Sequence, residues 1–166
     1  MLPRRALLAR FVLALAAVVC LIPMPRLALA AGQGGDIAVI AHPDVPVTSL
    51  TLAELRRLLL GDKEFWSPGV RVTIFIRAPI ARERDAVVKD VCEMTEAQFR
   101  QHWIAKVFRA DTANGPKIVY SSQMAVDQVS RTPGAIAFVE ASPAPKGVKI
   151  VKIDGKTPGQ SGYRLK

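Results

Sequence analysis

From Asp36 onward the chain switches repeatedly between two hydrophobic periods. "DIAVIAHP" (Asp36–Pro43) is a β-branched apolar run closed by a proline, the pattern of a buried strand. "DVPVTS" carries two prolines in quick succession, which forbid both helix and central strand, so it reads as a linker. "TLAELRRLLLG" (Thr51–Gly61) then takes helical spacing. Leu52, Leu55, Leu58 and Leu59 share one face, while Glu54, Arg56 and Arg57 point elsewhere. Thr51 and Glu54 stand three apart as a capping box, Leu50 and Leu55 occupy the staple positions, and Gly61 supplies a left-handed stop.

The alternation continues. "FWSPG" turns the chain, with Phe65 and Trp66 expected to close over the core edge, and "VRVTIFI" (Val70–Ile76) reads as one strand entering the sheet interior. A second helix is expected over about Ala81–Val91, with Val87, Val88 and Val91 inward. The capping device recurs at Thr95 and Gln98, stapled by Met94 and Phe99. It opens a helix over Glu96–Phe108 that is expected to bury Phe99, Trp103 and Val107. "RADTANGP" is a loop and "KIVY" a short strand; Ser121 or Ser122 caps a fourth helix ending before "TPG". "AIAFVE" (Ala135–Glu140) and "GVKIVKI" (Gly147–Ile153) are strands. Residues 154–166 carry little apolar content and are expected to be a loosely ordered tail. Alternating strands and helices predict an α/β domain, a three-layer sandwich with a mainly parallel sheet.

The first 30 residues belong to another pattern. Arg4, Arg5 and Arg10 precede an apolar run of about 14 residues, "FVLALAAVVCLIPM", and "ALA" follows at Ala28–Ala30. That is the three-part order of a secretory signal peptide, and the run is shorter than the ~20 residues of a membrane-spanning helix. Cleavage is expected after Ala30; a lipoprotein through Cys20 is disfavoured because "AVVC" lacks the small residue before the cysteine. Residues 31–35 form a flexible leader, and residues 36–153 the single domain. Removing Arg4, Arg5, Arg10 and Arg26 from the 23 basic residues leaves 19 against 14 acidic ones, a net charge of +5.

That modest charge suits an anion or an acidic surface. No basic run interleaves with aromatics, so nucleic acid is not an expected partner, and membrane contact is expected only during export. Cys92 is then the one cysteine, which excludes an internal disulfide, and its apolar neighbours in "AVVKDVCEM" fit a buried inert thiol. His42 and His102 are far apart and match no zinc spacing. No carboxylate pair or nucleophile elbow is present, so neither an enzyme nor a cofactor is expected.

Three features taken in order carry a resemblance. They are "VIAHPDVPVTSLTLAELRRLLLGDKEFW…G", a strand ending in "IR", and "TPGAIAFVE". In that order and spacing, from about Asp36 to Ile153, the chain resembles the substrate-binding proteins of phosphate ABC importers, and more closely their short, one-lobe relatives. The resemblance implies one lobe of a type II periplasmic-binding-protein fold and a solute-receptor role in the periplasm. It departs from the family where full-length receptors follow the aligned strand with an Arg-Ser-Asp-Gly-Ser-Gly-Thr run. This chain has "RAPIARE": Arg77 remains, but Ala81, Arg82 and Glu83 stand where Ser, Gly and Thr would be. The early phosphate loop of the first lobe has no counterpart.

An anion site built from the residues themselves needs helix N-terminal amides and a guanidinium. Arg77 at a strand end is the first candidate, with Arg82 and Arg84 in the helix turn after it. Ser121 and Ser122 offer hydroxyls at the next helix start, and Thr48 and Ser49 follow the first strand. In an open α/β sheet these could meet beyond the carboxyl ends of the strands. Against this, the serines also suit plain N-caps, and Arg82 and Arg84 also suit exposed pairs with Glu83 or Asp85.

Two functions follow. One is a secreted binding protein for a small oxyanion, phosphate by resemblance, working with an ABC permease or a sensor. The other is a one-lobe adaptor of the cell envelope that has lost anion binding, since half a cleft cannot enclose an anion. A homodimer would let two half clefts complete one another.

Overall fold

A computed structural model of the chain describes residues 35–112, 114–141 and 145–166; the expected signal peptide (1–30) and leader residues 31–34 lie outside the described residues. The described elements are β1 (Ile37–Ala41), β2 (Ser49–Leu50), α1 (Leu52–Leu59), β3 (Phe65–Ser67), β4 (Val70–Arg71), β5 (Thr73–Arg77), α2 (Arg82–Ala86), α3 (Glu96–Phe108), β6 (Lys117–Val119), α4 (Ser122–Arg131), β7 (Ala135–Glu140) and β8 (Lys149–Ile153). A π-helical turn over Val87–Val91 continues α2.

Six strands form one sheet in the order β2-β8-β1-β7-β5-β6, while β3 and β4 make a separate hairpin. The sheet is mainly parallel. Only β1 runs against its neighbours, β7 and β8. Alternate residues feed two cores, as the period-2 geometry of strands requires. On one face Ile37, Val39, Ile74, Ile76 and Phe138 pack under α1, the π turn and α3. On the other, Ala38, Ile40, Phe75, Val119 and Val139 pack under Ala125 and Val129 of α4. That is the three-layer sandwich the alternation predicts. β1, buried throughout on both faces, sits at its centre.

Both capping boxes form as expected. Thr51 Oγ1 accepts from the Glu54 amide at 3.2 Å, and the Glu54 carboxylate accepts from the Thr51 amide at 2.8 Å. Thr95 and Gln98 repeat the exchange at 3.2 and 2.9 Å. Gly61 takes the positive φ of a helix stop. Thr51→Ala therefore removes one side-chain acceptor from the start of α1, and we expect a loss of about 1 kcal/mol, read as an earlier urea midpoint at unchanged slope.

Four expectations need correction. "VRVTIFI" is not one strand: it breaks at Val72, so that Val70–Arg71 completes the hairpin and Thr73 starts β5. Phe65 is half exposed, under the Arg71 guanidinium, whereas Trp66 is buried and donates from Nε1 to the Gly134 carbonyl at 2.8 Å. Val107 faces outward rather than into the core.

The fourth concerns the tail, which is docked. Ile37 donates its amide to the Leu165 carbonyl at 2.9 Å, and Tyr163 Oη donates to the Ile37 carbonyl at 2.7 Å. Tyr163 and Leu165 are buried in the same core as β1. The Asp36 carboxylate takes the Gly159 amide at 2.6 Å and the Lys166 ammonium at 3.2 Å. The Gly159 bond is the main reason its carboxyl lies below the usual range. Two apolar side chains and one completed strand edge suffice to hold residues that carry no periodic pattern.

Candidate anion site at the carboxyl end of the sheet

β5 and β6 run side by side in parallel, with Arg77 opposite Val119, so the segments that follow them leave the same edge of the sheet. The first is Ala78–Ala81, ahead of α2. It contains Ile80, which is almost fully exposed at φ 77, a left-handed conformation that a β-branched residue rarely adopts. The second is Tyr120–Ser121, ahead of α4. Arg77, Ser121 and Ser122 are brought to one place by this pairing.

Ser121 is the cap. Its Oγ accepts from the Met124 amide at 3.0 Å. Ser122, one residue on, turns its hydroxyl to the Glu83 carboxylate at 3.3 Å. The same carboxylate oxygen lies 3.7 Å from Arg77 Nε. Both side chains of this pair are withdrawn from water, Arg77 at 16% and Glu83 at 11% exposure. Yet Arg77 Nε and Nη1 are buried without a hydrogen-bond partner among the described residues. A buried guanidinium nitrogen that makes no hydrogen bond is costly.

The other arginines differ from one another. Arg84 turns inward. It donates from Nε and Nη2 to both oxygens of Glu96, at 2.9 and 2.8 Å, and from Nη1 to the Arg77 carbonyl at 2.9 Å. It thus locks the end of β5 to the start of α3 as a structural brace, rather than pairing with Glu83 or Asp85. Asp85 pairs with Lys89 instead. Arg82 bonds the Gly35 carbonyl and lies 3.5 Å from Glu140, which ties the chain before β1 to the end of β7.

Thr48 and Ser49 are not part of this group. β1 is antiparallel, so its carboxyl end does not lead to the carboxyl edge of its neighbours. The linker carries Thr48 and Ser49 across to β2, where Ser49 pairs with Lys152 of β8. β8, β1 and β7 then stand between β2 and β5. At ~4.8 Å per strand, that separation is about 19 Å.

Sequence reasoning named Glu83 only as a departure from a family pattern or a partner of its neighbours. Its role as counter-ion to Arg77 was not foreseen. The available signal was a single carboxylate within an arginine-rich stretch, six residues after the strand-end arginine. Cys92 is fully buried and its thiol is pushed up to about 12 by desolvation, which fits an inert core residue. Among the described residues no group of three or more His, Cys, Asp or Glu could hold a metal ion.

No family model and no curated protein matches the chain. Solved structures do share its fold. An ABC-type phosphate transport receptor from Vibrio cholerae aligns at TM-score 0.59 and 20% identity, over 75% of this chain and 48% of its own. PstS from Borrelia burgdorferi aligns at TM-score 0.62 and 17% identity, over 79% of this chain and 54% of its own. The chain therefore has the α/β fold of phosphate-transport binding proteins and spans about half the length of these neighbours.

Proposed function

We propose that the chain is a one-lobe solute-binding protein of the cell envelope, exported to the periplasm, whose carboxyl-end nook takes a small oxyanion. Arg77 is the anchor and Ser122, at the start of α4, the second donor. Ser121 closes the helix start with its own hydroxyl. The observation that carries this reading is the pair of buried Arg77 nitrogens that make no hydrogen bond among the described residues, beside the N-terminus of a ten-residue helix. Phosphate is the proposed anion because the fold neighbours are phosphate-transport proteins. An ABC permease or a sensor is the proposed recipient.

A specific observation favours a second reading. Glu83 already places a carboxylate between Arg77 and Ser122, where an anion would sit. If that carboxylate is never displaced, the domain is an envelope adaptor that keeps the fold without the ligand.

Calorimetric titration of phosphate-depleted protein separates the two readings. The receptor reading expects saturable phosphate binding at micromolar Kd or tighter, weaker binding of sulfate, and none after Arg77→Ala. An absence of binding in the unsubstituted protein would leave the adaptor.

A further inference from the structure

We infer that the chain pairs with a second copy of itself across the outer edge of β6 and the exposed flank of α3. Among the described residues β6 is the last strand on its side of the sheet. α3 lies over the sheet but leaves that edge uncovered. Between them runs an open groove of about 500 Å³, floored by Ile76, Phe99 and Trp103 and walled by Ile104, Val107 and Ile118.

The side chains on this flank are apolar where a solvent-facing surface should be polar. Ile104 is 55% exposed, Val107 45%, Phe108 90% and Ile118 45%. Three of them, Ile104, Val107 and Phe108, are spaced i, i+3, i+4 on one stripe of α3. With aromatic side chains contributing about 150–250 Å² when bare, the four present on the order of 400 Å² of apolar surface. A stable interface buries about 800 Å² per partner, a little over half of it apolar. The patch is of the size that one side of such an interface needs.

Self-pairing is favoured over other occupants by shape, since an open strand edge and an apolar stripe lie side by side. A twofold axis normal to the sheet, passing beside Ile118, sets two β6 edges antiparallel and brings both α3 helices onto the same face. Each exposed stripe then fills the other copy's groove. Arg100 sits four residues before Ile104 at the groove's rim, is exposed, and has no ion pair among the described residues. The α3 carbonyls of Ala105, Lys106 and Val107 are already taken by the Arg109, Asp111 and Ala110 amides, so Arg100 adds no charge complementarity to the pairing. Lys117 lies opposite Val119 of the other copy, so the paired strand edges place no like charges face to face. The arrangement turns the two Arg77 nooks toward opposite edges of the joined sheet, each beside its own copy's β6. It therefore neither completes them nor depends on them.

Sedimentation equilibrium on the protein in the form that cells accumulate is the test, with its N-terminus read by mass spectrometry. The expected result is a dimer with Kd below about 10 µM, weakened roughly 100-fold by Phe108→Glu at unchanged far-UV circular dichroism. Ile118→Cys, at the axis, should cross-link two chains on mild oxidation, with buried Cys92 unable to compete. A monomer at ~100 µM would overturn the inference, including one whose groove is filled by its own N-terminal residues. So would a dimer that tolerates Phe108→Glu and gives no cross-link through position 118.

Discussion

Glu83→Gln should tighten phosphate binding by about 10- to 100-fold while Arg77→Ala abolishes it. The Glu83 carboxylate lies 3.7 Å from Arg77 Nε and accepts from Ser122 Oγ, so it holds the position that the proposed oxyanion would take. Two like charges ~5 Å apart at an effective dielectric constant of ~20 repel by about 3 kcal/mol, and the amide of Gln removes that term at nearly constant volume. The same substitution withdraws the one anion that balances Arg77. Breaking a pair this buried costs on the order of 3–5 kcal/mol. The ligand-free variant should therefore melt earlier than the unsubstituted protein, and phosphate should restore more of its stability, since a ligand that binds only the folded state stabilises it by mass action. Thermal melts at rising phosphate, run beside calorimetry, read both effects. The double change Arg77→Met with Glu83→Gln is the control, expected to be stable and unable to bind. If Glu83→Gln leaves phosphate affinity unchanged, the carboxylate is not a competitor and the nook is not the site.

The largest loss of stability is expected from Gly134→Ala. Gly134 has φ +75, and a Cβ there would lie 2.1 Å from the Arg71 carbonyl oxygen, a backbone atom that cannot swing away. Its own carbonyl takes the Trp66 indole at 2.8 Å and the Thr73 amide at 3.1 Å. One methyl group would thus push apart the hairpin, β5 and the entry to β7 together. A cost above ~4 kcal/mol is expected, enough to leave a marginal domain largely unfolded. Gly155→Ala is the comparison. It has a similar φ, +77, with nothing within 4 Å of the new Cβ, so only the left-handed strain of about 1–2 kcal/mol applies. Urea unfolding of the pair isolates the clash from the strain. Equal losses in the two variants would refute the close-approach argument.

Much of the fold was legible because its signals are local. A capping box is read over four residues and a buried strand over five, and both boxes, β1, β7 and α3 lie where the pattern puts them. Strand direction is different. Nothing in "IAVIA" distinguishes parallel from antiparallel or says which strands will flank it, and so Thr48 and Ser49 were expected beside β5 but lie four strands away. Val107 fails for a related reason. Helical spacing says which residues share a stripe, but whether the stripe is covered depends on how far α3 reaches over β6.

Within the site, Arg77 and the Ser121–Ser122 helix start were legible from a strand-end arginine and a serine pair before a helix. The partners of the arginines were not. A long side chain can turn toward either wall of the cleft, and the choice among Glu83, Glu96 and Glu140 is made by tertiary placement alone. The tail escaped notice because two buried residues, Tyr163 and Leu165, carry its docking with no repeating pattern around them.

The central position of β1 bears on the order of events during synthesis. Among the described residues, the first strand made finds its partners in β7, β8 and the residues up to Leu165, about a hundred or more positions later. Local contacts can nucleate around α2, α3 and β5 meanwhile, but the sheet cannot close at its centre until nearly the whole chain is available. A chain so arranged stays unfinished while it is being made. The docking of the last dozen residues beside β1 is the latch that ends that delay.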